Sequence, residues 1–400
     1  MIDGLILSRW PGLTTPSVQY RRLAEIWQNA LLSAPSIFVL AVLKRDWRFL
    51  STTMLSCVVA ATVATFQYAV YNSFRASSAV MPTIVAADYW VSAATISSFD
   101  FPAYFPEDYD AVLARYFPSG STRRVIFGFV PWRSPIGRRS NVALVGIDGW
   151  TVDGHPIGPT GFVANRQDLD RLDLDDDGSD QATIGTETLH LEGTVDTMST
   201  YLGAPYVLAD FETARRLLGV DPSSVAFIAG NVGAVPATPI SAAASDIERR
   251  FPDIMLRSQS DFARSSSDYW MNKTGAGLAI GLAAVLAMLL MVILLANGVL
   301  RFVQRYYSDL LSMLGHGAIQ RDIGWIIMGV ALIVSAVTLI GTVVITPILV
   351  FMFKPALPWV QFAVKDSLAA FGGVALAFVM AMLSARRALA QFAPDAIYRS

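Results

Sequence analysis

Cysteine and histidine are almost absent from this chain of 400 residues, which holds one cysteine and three histidines. The single cysteine, Cys57, lies within an apolar stretch, so a folded domain elsewhere in the chain has no internal disulfide. His155, His190 and His316 are far apart in sequence, and none has the paired spacing typical of metal-ligating histidines. The sequence therefore excludes a disulfide scaffold and offers no histidine-ligated metal centre.

The signatures of common catalytic sites are also missing. No glycine-rich loop followed by Lys and then Ser or Thr is present, which excludes a phosphate-binding loop of the nucleotidase type. No Gly-x-Ser-x-Gly motif is present. Charged residues make up only 16% of the chain and hydrophobic residues 54%. We expect a chain that is not an enzyme, carries no cofactor of its own and binds no nucleic acid.

Long uncharged apolar runs are what the chain has in abundance. A helix needs about 20 mostly apolar residues to cross a bilayer core of about 30 Å. Four segments meet this length: 49–72, 275–300, 323–353, which contains Pro347, and 367–385. Buried helices of a soluble protein are the alternative, but uncharged runs of this length are not typical of them. The sequence predicts an α-helical membrane protein with four transmembrane helices, one plus three.

The basic residues predict the orientation, because Lys and Arg accumulate on the cytoplasmic side. Six basic residues precede the first span, three follow the second and three follow the fourth, whereas the 354–366 connection has only two. Both termini, 1–48 and 386–400, and the 301–322 segment are therefore predicted to be cytoplasmic. The segment 73–274 holds 25 acidic and 16 basic residues, a net charge of −9, and is predicted to be periplasmic, as is the short 354–366 loop.

The N-terminal region lacks the continuous apolar core and cleavage site of a signal peptide. Residues 26–43, followed by the basic stretch Lys44 to Arg48, are predicted to form an amphipathic helix in the inner membrane interface, with Trp27 and Trp47 at headgroup level. A fifth span is the alternative, which Pro35 and the length of the segment disfavour.

The 73–274 segment is predicted to be a mixed α+β domain inserted between the first two spans. Strands are expected at 124–130, 141–147 and 188–195, and helices at 211–218 and 240–251. The stretch 261–273 is predicted to form a helix that continues directly into the second span. Such a helix would transmit a movement of the domain to the membrane.

Two partial motifs occur elsewhere in the chain. Asp173, Asp175 and Asp177 occupy the first, third and fifth positions of a calcium loop, but Ile184 stands at the twelfth, where the loop needs a bidentate Glu. A solvated acidic turn is therefore favoured over a calcium site. Gly277 and Gly281 form a small-xxx-small pattern, which gives weak support for close helix packing.

The segment 305–318 lies between the second and third spans. Leu310, Leu311, Met313 and Leu314 are apolar side chains on a short cytoplasmic segment, which predicts burial against the membrane or a partner. Gly315 and Gly317 then end the helix. An ordinary interfacial turn is one interpretation. A coupling helix that docks on a cytoplasmic motor is the other, and then Asp at positions 310 and 314 would abolish docking.

The one-plus-three order and the segment R-Y-Y-S-D-L-L-S-M-L-G-H-G-A resemble the FtsX/MacB-type permeases of ABC transporters, and within them the DevC-type exporter permeases. Three further stretches carry the likeness: 40–49, 207–219 with Phe251-Pro-Asp-Ile, and 261–270 running into the second span. One departure concerns His316 and Gly317, which replace the small-residue pair usual after Gly315 in the family.

The resemblance implies a homodimeric permease of the bacterial inner membrane, whose spans act as levers and do not form a channel. A separate cytoplasmic ATP-binding subunit would use ATP and Mg, and it would be coupled to this chain through the ATPase-coupling segment: Asp309, Leu310, Leu311, Met313, Leu314, Gly315, His316 and Gly317. DevC-type members also engage a periplasmic adaptor, or membrane fusion, protein and an outer-membrane duct. Membrane lipids are expected to surround the spans.

Three functional hypotheses remain at this stage. The first is an ABC-exporter permease for a lipid, glycolipid or other hydrophobic molecule. The second is an FtsX-like transmembrane transducer whose inserted domain regulates a periplasmic cell-wall hydrolase. The third is a membrane-anchored binding protein without a motor. The protein that binds the inserted domain would separate the first two hypotheses, since an adaptor indicates export and a hydrolase indicates regulation. Tolerance of charge in the 305–318 segment would favour the third.

Overall fold

The computed structural model describes residues 34–152, 155–175, 180–196, 198–233 and 238–390. Its α-helices in these ranges are α1 (Ala34–Arg45), α2 (Trp47–Ser77), α3 (Val80–Ile84), α4 (Asp110–Tyr116), α5 (Leu169–Leu172), α6 (Phe211–Leu218), α7 (Ile240–Arg250), α8 (Gln259–Asp268), α9 (Gly275–Arg305), α10 (Tyr307–Gly315), α11 (Gln320–Phe353) and α12 (Val364–Ala390). A π-helix covers Tyr269–Lys273, and 3-10 turns cover Glu107–Tyr109 and Arg166–Asp168.

The strands are β1 (Tyr89–Ala93), β2 (Phe105–Pro106), β3 (Ser121–Arg133), β4 (Arg139–Ile147), β5 (Thr151–Val152), β6 (His155–Pro156), β7 (Gly161–Asn165), β8 (Gln181–Ile184), β9 (Glu187–Val195), β10 (Tyr206–Ala209), β11 (Ser224–Val225), β12 (Phe227–Asn231) and β13 (Ile254–Ser258). All of them lie in the chain between α2 and α9. The strands expected at 124–130, 141–147 and 188–195 correspond to β3, β4 and β9.

The chain divides into two compact units. Over the described residues, a helical unit comprises 34–65, 286–345 and 367–390, and a mixed unit comprises the described parts of 66–285 and 346–366. In the described ranges, α2, α9, α11 and α12 are each long and apolar enough to cross a membrane. The four segments predicted as spans lie within these four helices, and α11 runs through Pro347 without ending there. The predicted interfacial helix at 26–43 falls partly outside the described residues, and its described part belongs to α1.

The helical unit has one apolar core, built where α1, α2, α9, α10, α11 and α12 pack together. Small and branched side chains fill it, among them Ala61, Leu295, Ile326 and Ala377, which are at most 1% exposed. Without a hydrophobic driving force between helices in lipid, close packing of such residues is what holds membrane helices together.

The mixed unit is organised by a nine-stranded sheet, in the order β13-β1-β12-β3-β4-β10-β7-β9-β8 over the described residues. The pairs β4–β10 and β7–β9 are parallel and the others are antiparallel. The far end of β3 also pairs with β8, where Trp132 faces Ile184. Six strands, β3-β4-β10-β7-β9-β8, are therefore closed into a ring, which leaves no open edge along that part of the sheet.

The mixed unit has an apolar core on each face of the sheet, because successive side chains of a strand point to opposite faces. In β3, Ile126 and Val130 belong to one core, and Val125 and Phe127 belong to the other. Neighbouring side chains of a strand point to opposite faces, so a strand with alternating apolar residues on both faces needs cover on both sides. The helices α6 and α7 supply cover on the first face, and α8 supplies it through Phe262 on the second.

The helix predicted at 211–218 is observed as α6, and a capping residue at each end accounts for its bounds. The Asp210 carboxylate accepts the backbone N–H groups of Glu212 and Thr213 at 3.1 and 3.4 Å. At the other end Gly219 has a φ of +65°, the left-handed conformation that favours glycine after a helix. The helix predicted at 240–251 is observed as α7, which ends one residue earlier.

Candidate functional site

The apolar residues of the predicted coupling segment face the chain's own helices. Leu310 is fully buried in the core of the helical unit. Leu311, Met313 and Leu314 are half-buried and pack against the same core. The sequence predicted burial against the membrane or a partner, whereas the structure shows contact with the protein's own helices. The coupling role of Leu310 stays a prediction, and because Leu310 is buried, an Asp at this position would disrupt the helical unit itself.

The opposite face of α10 is polar and exposed. Ser308, Asp309 and Ser312 all lie on it, and their side chains are open to solvent. Residues three and four apart share one side of a helix, which is why these three form a continuous surface. This surface is the most exposed part of the helix, whereas Leu310 is buried beneath it.

The C-terminal end of α10 is capped tightly. The backbone N–H groups of His316, Gly317 and Ala318 donate to carbonyls of the last turn at 3.0–3.2 Å. Gly317 has a φ of +97°, which a side chain would strain, and His316 Nδ1 lies 2.7 Å from the Ser312 carbonyl. Gly315, His316 and Gly317 are exposed. The predicted role of the glycines in ending the helix agrees with this geometry, while docking at His316 stays a prediction.

The N-terminal end of α10 is tied to the junction of α1 and α2 by one carboxylate. Asp46, the only residue between these two helices, accepts hydrogen bonds from Arg305 Nε at 3.2 Å and from the Tyr306 hydroxyl. Arg305 also stacks over the Phe49 ring, 4.8 Å from its centroid. Tyr306 itself is buried between Phe302 and Phe38 in the helical core. We call Asp46, Arg305 and Tyr306 the Asp46 clamp.

The clamp stabilises the charged form of its carboxylate. Hydrogen bonds from Tyr306, and then from Arg305, hold the pKa of Asp46 below its usual value. Burial, with a smaller effect from Asp46, raises the pKa of Tyr306 to about 12. Asp46 therefore stays ionised at neutral pH and the phenol stays protonated, so the donor and the acceptor keep their roles.

Replacing Tyr306 with phenylalanine should lower the melting temperature (Tm) of the full chain at neutral pH. The lowered pKa of Asp46 means that the fold favours the carboxylate; this stabilisation is complete above the ordinary Asp pKa and disappears as the pH falls through the native value. The loss caused by Y306F should therefore shrink in acid. In a D46N background, Y306F should add little at any pH. Losses that simply add in the double variant would contradict the clamp.

A buried carboxylate lies in the mixed unit, at Asp100 in the loop after β1. It is 4% exposed. Its Oδ1 accepts the Tyr206 hydroxyl at 2.7 Å, and its Oδ2 accepts the Tyr201 hydroxyl at 2.9 Å and Trp270 Nε1 at 2.8 Å. The Ser98 hydroxyl is a longer donor at 3.3 Å. Burial raises the pKa of Asp100, and these hydrogen bonds oppose that effect.

Aromatic rings join this carboxylate to the ends of the membrane helices. Tyr201 packs edge-on against Phe74, at the end of α2, and against Trp270, with centroids 4.7 and 4.9 Å apart. Phe74 also contacts Trp359, in the loop before α12, at 6.1 Å. We call Asp100, Tyr201, Tyr206 and Trp270 the Asp100 network. It fixes one sheet strand and two loops to the segment that leads into α9.

The segment leading into α9 is not continuous with it. α8 passes into the π-helix Tyr269–Lys273, and Thr274 is then extended, with φ −94° and ψ 150°. The Thr274 hydroxyl donates to the Trp270 carbonyl at 2.6 Å and its N–H to the Tyr269 carbonyl at 3.1 Å. The predicted straight helix from 261 into the second span is therefore wrong by one residue, because Thr274 and the flanking Gly275 favour a break over a further turn.

The two glycines of the small-xxx-small pattern have different neighbours. At Gly277 an added Cβ would meet the backbone of Trp270 and Met271 in the π-helix. At Gly281 it would lie 3.2 Å from the Tyr71 ring on α2. Both glycines therefore permit close packing within this chain, one against the preceding turn and the other against a neighbouring long helix.

The partial calcium motif falls partly outside the described residues, which omit Asp177. Asp173 has a left-handed backbone conformation, with a φ of 56°, and its carboxylate forms an ion pair with Arg138 at 2.8 Å. Asp175 offers its backbone N–H to the Asp180 carboxylate at 2.6 Å. Over the described residues, no cluster of three or more metal-ligating side chains is found. The ion pair of Asp173 with Arg138 and the backbone hydrogen bond of Asp175 fit an acidic turn better than a cation site.

Comparisons with known proteins add structural neighbours only. No protein-family model and no curated protein matches the chain. The crystal structure of the periplasmic region of MacB from Actinobacillus actinomycetemcomitans aligns with 8% identity and a TM-score of 0.33, over 45% of this chain and 92% of that one.

Two further structures align in the same way. The extracellular domain of the noncanonic ABC-type transporter YknZ from Gram-positive bacteria gives 11% identity and a TM-score of 0.30, over 43% of this chain and 98% of that one. A domain of a protein named as a permease from Porphyromonas gingivalis gives 9% and 0.28, over 43% and 88%. TM-scores below 0.5 do not by themselves establish a shared fold or function.

Proposed function

We propose that this chain is the membrane permease subunit of an ABC-type transporter and works with a separate cytoplasmic ATP-binding subunit. The observation that carries the proposal is α10, a nine-residue helix between two membrane-length helices. Its buried side is fixed by Leu310, and its other side offers the exposed surface of Ser308, Asp309 and Ser312. A helix of this kind can receive a push from a partner and pass it to the helices beneath.

The contacts around α10 suit transmission of force. Tyr306 and Leu310 are buried in the core of the helical unit, one turn apart. The Asp46 clamp then connects the start of α10 to the junction of α1 and α2. Because packed interiors have few voids, a displacement of α10 is carried into its neighbours and is not absorbed locally. The chain itself supplies no ATP-binding loop, so the energy would come from the partner.

The finer assignment follows the DevC-type resemblance. In this proposal the protein is a homodimer of the bacterial inner membrane, with both termini in the cytoplasm and the mixed unit in the periplasm. The unit engages a periplasmic adaptor, which leads to an outer-membrane duct, and the cargo is a lipid, glycolipid or other hydrophobic molecule. Cross-linking of the full chain through its mixed unit should capture an adaptor. A cell-wall hydrolase captured in its place would favour the FtsX-like alternative.

Reversing charge on the exposed face of α10 should uncouple the motor. In D309R/S312R, two guanidinium groups replace an acid and a hydroxyl without touching Leu310, so the helical unit should fold as before. We expect at least a tenfold loss of the co-purified ATP-binding subunit and of ATPase activity in the full-chain preparation, since like-charge or mismatched contacts at an interface cost several kcal/mol.

Asp170→Arg is the matched control for this test. It makes the same acid-to-arginine reversal as D309R, at an exposed residue of the mixed unit far from α10 in sequence. Its complex and its ATPase activity should equal those of the wild type. If D309R/S312R retained both as well, α10 would not be the docking helix, and a chain without a motor would be favoured.

A further inference from the structure

A groove of about 510 Å³ opens in the helical unit where the first turns of α11 face the last turns of α12. Its volume falls within the roughly 300–1,000 Å³ typical of small-molecule sites. Most of its walls are apolar and come from Leu314, Ile323, Ile327, Met328, Met382 and Ala385. Unbranched Met side chains adapt to irregular apolar groups, so these walls suit a flexible hydrocarbon.

Two arginines line the same groove. Arg321 belongs to the first turn of α11 and Arg386 lies near the end of α12; both side chains are exposed. Neither takes part in an ion pair found among the described residues. The neighbouring acid, Asp322, uses its carboxylate to accept the Ile319 N–H at 3.0 Å. The groove therefore combines an apolar floor with two positive charges that the described chain does not neutralise.

The predicted spans 323–353 and 367–385 place the groove at the depth of lipid headgroups. Arg321 and Arg386 stand at one end of the membrane-length helices α11 and α12, directly next to the predicted spans 323–353 and 367–385. Trp325 lines the groove and is 49% exposed, as is typical of tryptophan at a membrane interface. Beside it, a Cβ at Gly324 would meet no atom within 4 Å, which leaves room for a bound group.

We propose that this groove binds the headgroup of an anionic phospholipid. Arg321 and Arg386 bind the phosphate, for which the planar guanidinium offers matching paired donors. The first acyl carbons lie against Met328 and Met382, and Trp325 packs beside the glycerol region. Basic pockets between membrane helices are the usual sites for such headgroups on the cytoplasmic side.

The combination of charge and apolar surface favours this occupant over others. A soluble phosphate would use the arginines but leave the apolar walls exposed to water. A zwitterionic lipid would cover the walls but bring a cation towards two guanidinium groups. Of these three occupants, only an anionic lipid satisfies both parts of the groove. The proposal requires that α11 and α12 span a membrane, and it does not depend on the permease assignment.

The test compares lipid binding by the full chain and two variants in detergent. Phosphatidylglycerol added to the micelles should raise the Tm of the wild type, and native mass spectrometry should show the lipid retained. R321Q/R386Q should bind it roughly 30-fold more weakly, since each Lys or Arg near the surface contributes about a fivefold factor. R387Q removes the same charge one residue further along α12, outside the groove, and should bind like the wild type.

Five results would overturn the proposal. Phosphatidylcholine could stabilise the wild type as much as phosphatidylglycerol, or inorganic phosphate could do so alone. R387Q could lose binding as fully as R321Q/R386Q. The double variant could have a lower Tm already without lipid, with an unchanged lipid response, which would show that the two arginines stabilise the helical unit and do not bind lipid. Loss of the ATP-binding subunit without loss of lipid would identify a protein-docking surface.

Discussion

Asp100→Ala should lower the Tm of the mixed unit by roughly 6–12 °C, measured by calorimetry on the full chain. The substitution removes the acceptor shared by Tyr206, Tyr201 and Trp270. Tyr206 is 2% exposed, so its hydroxyl loses its partner without gaining water. A buried donor left unsatisfied costs about 1–3 kcal/mol, and three together cost about 3 kcal/mol or more even if part of the site rehydrates.

Asp170→Ala is the control for this loss. Asp170 is an exposed carboxylate of the same unit, and no hydrogen bond or ion pair to its side chain is found among the described residues. Its removal should leave the Tm within about 1 °C, as expected for a surface change. Y201F removes one donor and keeps the acceptor, so its effect should lie between the two. A Tm for D100A equal to that of D170A would contradict a structural role for the network.

The pH dependence of this network should have the opposite sign to that of the Asp46 clamp. Burial raises the pKa of Asp100 above its usual value, so the folded protein binds a proton at pH values where the unfolded chain does not. The stability that Asp100 contributes is then complete below the ordinary Asp pKa and is lost as the pH rises through the native value. The Tm difference between the wild type and D100N should therefore fall with rising pH.

Local sequence signals were sufficient for most of the architecture. The four apolar runs predicted α2, α9, α11 and α12 because length and absence of charge are properties of the segment alone. The same holds for β3, whose alternating apolar residues serve two cores, and for α6, whose Asp210 and Gly219 caps lie next to its ends. The predicted mixed α+β composition agrees with the observed sheet and helices.

The contacts of Asp100 and Asp46 could not be predicted from local sequence signals, because they join residues that are distant in sequence. Asp100 meets partners 101, 106 and 170 residues away, and its own neighbours in sequence give no sign of them. Asp46 is 259 residues from Arg305, although an acid alone within Lys44 to Arg48 was a possible hint of a partner. The spacing of Leu310 and Leu314 predicted an apolar face on α10, but periodicity cannot tell whether that face meets another protein or the chain's own helices.

The break at Thr274 separates α8 and the π-helix from α9. A straight helix would have transmitted torque directly along its axis. In the structure, the connection runs through a π-helix whose Trp270 is bound to Asp100 and whose carbonyls hold the Thr274 side chain and backbone. Single π-helical turns are often found at functional sites. The Asp100 network and the start of α9 are therefore joined through this turn.

Gly277→Ala should disturb this turn and lower the stability of the mixed unit by about 1–3 kcal/mol, the usual cost of overpacking. Helix propensity alone predicts the opposite, since Ala is favoured over Gly in a helix by about 1 kcal/mol. The new Cβ would meet the Trp270 and Met271 carbonyl oxygens, each 2.6 Å away. Backbone atoms cannot rotate aside as a side chain does, so the π-helix or the start of α9 must move.

Gly275→Ala separates helix propensity from overpacking. Gly275 lies two residues earlier in α9, and its Cβ would have no atom within 4 Å. Calorimetry should show no loss of Tm for G275A and a clear loss for G277A. Hydrogen exchange should locate the change in G277A, with faster exchange of the Thr274 amide, which donates to the Tyr269 carbonyl. If G277A were as stable as G275A, close packing at this turn would not limit the junction, and the π-helix would be free to adapt when the mixed unit moves.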